Sequence, residues 1–210
     1  MTDLNEHYKK IIEELVPREQ RTCLLKIVKK AYEKTAILYG SDVGQGLSKD
    51  NPVGDDVWAD IVRAHLTAAA LELGSQCGFG CRTKKNKSGN CSHLEMDNGR
   101  VLVVFALAAS RNDVGKDSIY RQNLIRPLMG SLFEKDTKVA KDKINVLLVT
   151  YGPVANKHMM PEFINIGIPG EKGWLGRLPL VEETMEPEEK LVTLVGEDNG
   201  RNEKTGSAEK

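Results

Sequence analysis

Two apolar runs in the middle of the chain constrain the fold more than any other feature. The segment from Val101 to Ala109 is apolar throughout, and the segment from Ile144 to Tyr151 is apolar at most positions. A strand formed in either segment would be apolar on both sides. Such strands are typical of the centre of a sheet. A further run, from Phe163 to Ile168, predicts one more strand. The core is therefore expected to form around a single central sheet.

The dipeptide Asn98-Gly99 predicts a β-hairpin that leads into the first of these strands. Asn-Gly between two apolar segments is the strongest short-range hairpin signal. If these two residues alone form the loop, Met96 faces Val101 on the neighbouring strand. The alternation then places five apolar side chains on one face, which is expected to be buried: Leu94, Met96, Val101, Val103 and Phe105.

Helical signals precede and interrupt the strands. Apolar residues at helical spacing predict helices within 4–39, divided near Pro17, and from Asp55 or Asp56 to about Leu73. The same spacing predicts a helix from Asp117 to Glu134. Loops are expected over 40–54, over the polar stretch 82–90, and at the glycines from 167 to 176.

The order of these elements predicts an α+β (mixed α/β) fold and not a repeated βαβ pattern. N-terminal helices, then a β-hairpin, a helix and further strands would form one central sheet. A single globular domain is expected over 1–195, with a helical part (1–74) and a sheet-containing part (75–195). The acidic and polar residues 196–210 are expected to form a disordered tail.

Charge is balanced over the whole chain but not along it. Thirty basic residues match thirty acidic residues. Residues 75–180 contain sixteen basic and nine acidic residues, a net charge of +7, whereas residues 181–210 contain four and nine, a net charge of −5. A basic middle suits a polyanionic partner such as nucleic acid, although ordinary surface charge explains the same numbers.

The cellular context is constrained by what the sequence lacks. No stretch approaches the ~20 apolar residues of a membrane span, so no membrane partner is expected. The first residues do not have the basic and apolar regions of a signal peptide. The sequence therefore predicts a cytoplasmic protein, and it says nothing about oligomeric state.

Three cysteines and a histidine fall within a short segment. Their pattern is Cys-x3-Cys-x9-Cys-x-His, and thiolate and imidazole are the ligands that zinc prefers. A closed four-ligand zinc site would be structural, because no position remains for a water molecule. Free thiols, or a disulfide or redox pair, are the alternatives. The predicted zinc ligands are Cys77, Cys81, Cys91 and His93.

Between these ligands lies a basic segment with no acidic residue. A metal-anchored loop of this charge could contact a phosphate backbone. A second polar cluster, from Ser110 to Arg121, follows the expected central strand, and ligands of α/β sheets often bind beyond the carboxyl ends of strands. The candidate nucleic-acid-binding residues are Arg82, Lys84, Lys85, Lys87, Arg111 and Arg121.

The hairpin followed by a helix resembles, in outline, the restriction-endonuclease-like nucleases. The resemblance implies an acid on one strand and a Glu-x-Lys or Asp-x-Lys on the next, which hold magnesium and activate water. Here the second strand carries Val103, Val104 and Phe105, so the acid-x-Lys motif is absent. The candidate catalytic residues of a divergent nuclease are Glu95, Asp97, Asp113 and Lys116.

Three classes of function therefore remain open. The favoured hypothesis is a nucleic-acid-associated binding protein with a structural zinc loop. The second is the divergent metal-dependent nuclease, so catalysis is left undecided. The third is a protein-interaction module that docks through the loop around Trp174 or through the acidic tail.

Overall fold

The computed structural model describes residues 2–40, 52–85, 92–114, 144–152, 160–170 and 173–180. In this described part of the chain, three helices precede a six-stranded sheet. The helices are α1 (Thr2–Leu15), α2 (Arg18–Gly40) and α3 (Pro52–Leu73), and a short 3₁₀ helix (Ser75–Cys77) follows α3. The strands are β1 (Gly80–Lys85), β2 (Ser92–Asp97), β3 (Leu102–Leu107), β4 (Val146–Gly152), β5 (Phe163–Pro169) and β6 (Trp174–Pro179).

The sheet confirms the α+β class. Its strands lie side by side in chain order, from β1 to β6. Every neighbouring pair is antiparallel except β3 and β4, which are parallel. A parallel pair needs a crossover connection of a dozen or more residues, and the chain between these two strands is long enough to supply one. The helix predicted over 117–134 lies in that connection, outside the described residues.

The hairpin of β2 and β3 has the predicted buried face but a different register. Met96 pairs with Val103 and not with Val101. The loop is longer because the Asn98 carboxamide organises it: Oδ1 accepts hydrogen bonds from two following backbone amides, and Nδ2 donates to the carbonyl of Leu15 at 2.9 Å. Since side chains alternate with period two, a shift of two residues leaves the same side chains facing the core.

Two strands lie where loops were expected, and those expectations were wrong. Strand β1 covers the basic segment 80–85, and β6 covers the second half of the glycine-rich stretch. Both are edge strands with exposed or half-buried polar positions, so they lack the apolar alternation that marks a buried strand. Position 167 within β5 is a glycine, and a Cβ atom there would come within 2.6 Å of the Trp174 ring. Any other residue would therefore displace the ring.

The helices cover one face of the sheet. Buried residues of α1, α2 and α3 form one cluster with the inward-facing residues of the strands, among them Leu147, Val149 and Ile166. The opposite face carries a smaller apolar cluster built on Val104, Val146 and Leu148, to which none of the described helices contributes. Within the described residues, no helix is long and apolar enough to cross a membrane.

His65 on α3 makes stability sensitive to pH. Its Nδ1 lies 3.0 Å from the hydroxyl of Thr35, a side chain that is itself buried on α2. Burial lowers the pKa of His65 below its usual value of 6.5, and the nearby Lys34 ammonium lowers it further. The folded state therefore favours the neutral imidazole, so this contribution to stability is present above pH 6.5 and is lost as the pH falls.

We expect the melting temperature to fall as the pH is lowered from neutral to below 6.5. The variant His65→Gln should show a smaller fall over the same range. His93, whose pKa is also lowered by burial, should retain part of the dependence in that variant. Melting curves of both proteins across the pH range measure this, and an identical pH dependence in the variant would contradict the assignment.

Candidate functional site

Among the described residues, the predicted zinc ligands do not lie together as a zinc site would require. Cys77 is joined to Cys23 of α2 by a disulfide, with the two Cα atoms 6.3 Å apart. Its sulfur is therefore not a thiolate that could bind a metal ion. The disulfide, which was the lesser alternative for Cys77, links α2 to the turn that follows α3.

Cys81 and His93 lie on opposite faces of the sheet. Cys81 pairs with Met96 in the buried face, and its sulfur lies 3.3 Å from the carbonyl oxygen of Ala70 on α3. Burial raises the pKa of its thiol, which disfavours the thiolate. His93 pairs with Lys84 on the other face. Cys91 lies outside the described residues, and within them no group of three or more metal-ligating side chains occurs. The described residues therefore do not assemble the zinc site, which stays a prediction.

Glu95 is the centre of a charged cluster on the face opposite the helices. Its side chain is 1% exposed, and Oε2 accepts a hydrogen bond from Nε of Arg82 at 2.7 Å. Oε1 lies 3.3 Å from Nε2 of His93 and 4.0 Å from Nζ of Lys84. Burial lowers the pKa of His93, and the Glu95 carboxylate opposes this shift. A buried carboxylate thus pairs with two exposed basic side chains of β1, Arg82 and Lys84.

The candidate catalytic acids are not brought together around a metal. Asp97 Oδ1 accepts a hydrogen bond from the amide of Gly99 at 2.7 Å, and Asp113 Oδ2 accepts one from Ala109 at 3.3 Å. Both carboxylates therefore stabilise turns. Glu95 faces Val104 on β3, where the resemblance to nucleases implied catalytic residues. Lys116 lies outside the described residues, so the nuclease remains an alternative without an assembled site.

One row of paired residues crosses the whole sheet on this face. Residues directly opposite each other in a ladder point to the same side. From β1 to β6 the row consists of Arg82, Glu95, Val104, Leu148, Gly167 and Arg177. An arginine thus stands at each edge of the same face. Arg177 was missed in the sequence, because its segment had been interpreted as a loop.

A cleft of about 510 Å³ lies beside Arg177, between α1, the turn after β3 and β6. Arg111, which belongs to the Ser110–Arg121 cluster, lines the cleft. Arg121 and Lys87 lie outside the described residues. The lining is rich in donors: three cations (Lys9, Arg111, Arg177) and three amides (Asn5, Asn112, Asn165). No carboxylate is among the described residues that line it. The cleft is therefore suited to an anion.

Hydrogen bonds hold the cationic side of this cleft in place. The Arg177 guanidinium donates to the carbonyl of Arg111 and, at 2.8 Å, to Oδ1 of Asn112. Asn165 also donates to the Arg111 carbonyl, at 3.2 Å. The Arg111 side chain donates to the carbonyl of Glu162, at 3.2 Å. The turn and β6 therefore form one connected unit.

Trp174 forms part of the wall of the cleft. The sequence predicted a loop at this position. It instead begins β6 and packs against the apolar cluster of Val104, Val146 and Leu148. Its indole Nε1 is buried and has no hydrogen-bond acceptor among the described residues.

Comparison of the chain with protein-family models, curated proteins and solved structures finds no match. The functional argument therefore depends on the charges and contacts of the residues themselves. These favour a ligand that carries negative charge.

Proposed function

We propose that this protein binds nucleic acid by contacting phosphate groups at the two edges of the sheet face opposite the helices. The observation that carries the proposal is the presence of cations at both edges of that face. Arg82 and Lys84 lie on β1 at one edge, and Arg177 lies on β6 at the other. Phosphate contacts supply most of the sequence-independent affinity for nucleic acids.

The spacing of the two edges suits a polymer. Neighbouring strands lie about 4.8 Å apart, so the five steps from β1 to β6 span about 24 Å. Cations that far apart would contact different phosphates of one molecule and not a single small ion. An extended polyanion is the ligand that engages both edges at once.

The β1 edge is built to keep its charge at the surface. The side chains of Arg82 and Lys84 are each 62% exposed, although both approach the buried Glu95. Lys85, at the end of the strand, is exposed as well. Lys85 alternates with Lys84 and so lies on the other side of the strand, as Cys81 does. On the face opposite the helices the edge therefore carries two cations, Arg82 and Lys84, around one buried carboxylate, and the excess charge is positive.

Another explanation for these lysines is protection of the sheet. Charged side chains on an edge strand prevent pairing with other chains. Protection alone predicts no preference for a polyanion and no dependence of binding on salt. A binding experiment at several salt concentrations separates the two explanations.

The double variant Lys84→Gln/Lys85→Gln is expected to weaken nucleic-acid binding and its salt dependence together. Each lost contact with duplex DNA lowers the slope of log K against log salt by about 0.9. Of the two lysines only Lys84 lies on the proposed face, so the slope should fall by about 0.9. The pair of Arg82 and Glu95 remains intact, so the fold is retained. Fluorescence anisotropy with a short labelled duplex DNA and a single-stranded RNA measures both quantities.

The matched control is Lys26→Gln/Lys29→Gln, which removes the same charge from α2 on the helical side of the sheet. Its salt slope should equal that of the unmodified protein. Equal losses in the two double variants would show a non-specific charge effect and overturn the proposed surface. Absence of binding at low salt would overturn the function itself.

A further inference from the structure

We infer that the cleft beside Arg177 binds a single phosphorylated nucleoside, with the phosphate on the cations and the base against Trp174. One source of such a ligand is the terminal nucleotide of a bound nucleic-acid strand, and for that source the inference rests on the proposed function. A free nucleotide carries the same chemical groups. The cleft therefore adds a site for one nucleotide to a surface that otherwise contacts only the backbone.

The charge of the cleft selects a phosphate. Lys9, Arg111 and Arg177 bring three positive charges to the described lining, and no carboxylate there opposes them. The ammonium of Lys9 also forms a salt bridge with the exposed Glu6, at 2.7 Å, which partly neutralises its charge. The two arginines therefore supply most of the positive charge of the cleft. Guanidinium groups suit phosphate because their planar N–H pairs match two of its oxygens.

The arginine side of the cleft is organised before any ligand arrives. A guanidinium carries five N–H groups, and the contacts of Arg177 with the turn use two of its nitrogens. The Asn165 amide holds the same turn from β5. Donors that are already fixed lose less conformational entropy when a ligand binds, which favours affinity.

Volume and the tryptophan indicate more than a bare phosphate. About 510 Å³ lies within the range of small-molecule and cofactor sites and exceeds what a single phosphate fills. The Trp174 ring lies over Gly167, where a side chain would displace it, so the ring position is fixed by the sheet. Bases stack on such rings in single-strand-binding proteins.

Polar groups of the cleft suit the edge of a base. Trp174 itself lines the cleft. Asn5 and Asn112 add amides, which can donate and accept at once. This combination of aromatic ring, amides and cations points to a nucleotide and not to a simple anion.

Tryptophan fluorescence tests the inference directly. The chain contains two tryptophans, and the other, Trp58, is buried in the helical core, so the variant Trp58→Phe reports on Trp174 alone. In that background we expect nucleoside monophosphates to quench the emission in a saturable manner. The matching nucleoside without phosphate, and inorganic phosphate alone, should each bind at least tenfold more weakly.

A pair of neighbouring lysines gives a matched control. Lys9→Gln removes a cation from the cleft without touching the contacts of the turn, whereas Lys10→Gln removes an exposed cation from the same helix. Lys9→Gln should weaken monophosphate binding about fivefold and Lys10→Gln should leave it unchanged. An oligonucleotide with a 5′-phosphate should compete with the monophosphate if the ligand is a strand end, and fail to compete if it is a free nucleotide.

Failure of the inference is distinct from failure of the proposed function. If no nucleotide quenches Trp174, or if Lys9→Gln and Lys10→Gln bind equally, the nucleotide site is wrong while polymer binding stands. Equal affinity for inorganic phosphate and the monophosphate would likewise overturn the nucleotide assignment. Lys84→Gln/Lys85→Gln should keep full monophosphate affinity, and a loss there would also contradict a separate site at the β6 edge.

Discussion

Removing the disulfide through Cys77→Ser is expected to lower the free energy of unfolding of the oxidised protein by about 4 kcal/mol. The bond joins residues 54 positions apart, and closing a loop of that length in the unfolded chain removes entropy worth about 4 kcal/mol near room temperature. The bond ties α2 to the turn that leads into β1. Its loss would therefore loosen the attachment of the basic edge as well as the helices.

Urea unfolding of the oxidised protein, with and without reductant, measures this effect. Reductant should lower the stability of the unmodified protein to near that of Cys77→Ser and should leave the variant unchanged. Cys81→Ser is the matched control, since Cys81 is outside the disulfide and its variant should still respond to reductant. Equal stability of the unmodified protein with and without reductant would contradict the assignment.

Replacing Arg82 by methionine is expected to cost about 2–3 kcal/mol of stability. The change leaves the Glu95 carboxylate buried without its closest cation, 2.7 Å away. Breaking a fully buried ion pair costs about 3–5 kcal/mol, and the exposure of Arg82 together with the nearby His93 and Lys84 reduces that figure. The loss arises because a buried charge without compensation is poorly solvated.

The double variant Arg82→Met/Glu95→Gln tests this cause. Neutralising both partners removes the buried charge, so stability should return to within about 1 kcal/mol of the unmodified protein. Urea unfolding of the two single variants and the double variant gives the coupling between the side chains. If the losses of the single variants simply add, the pair does not act as described.

The predicted strands and helices differ from the observed ones in an instructive way. The central strands were predictable because burial on both sides leaves a nearly continuous apolar run, as in Val146–Gly152 and Phe163–Pro169, each of which contains one polar side chain. The edge strands were not, because β1 and β6 face solvent along much of their length and read as polar loops. Their identity as strands depends on neighbours that supply the hydrogen bonds.

The residues of the proposed binding surface could be recognised from the sequence only in part, for the same reason. Basic residues clustered in the sequence, such as Arg82 and Lys84, could be recognised from local charge. The cleft combines Lys9 of α1, the turn at Arg111 and Arg177 of β6, and these are distant in the chain. The pattern of residues within one short segment does not show which distant segments line the same cleft. Cys81 and His93 likewise shared a motif, yet alternation along paired strands separated them.

Apolar periodicity alone predicted the fold class, the central strands and the buried face of the hairpin. This is possible because a residue that is to be buried has an apolar side chain, which the sequence shows directly. Register depended on tertiary contacts: Asn98 reaches the carbonyl of Leu15 across 83 positions of the chain and lengthens the loop. The partner of Cys77 and the second arginine of the charged face also required the folded chain. Each of these features is a contact between segments that are distant in the chain. Such a contact depends on which segments the tertiary packing places side by side.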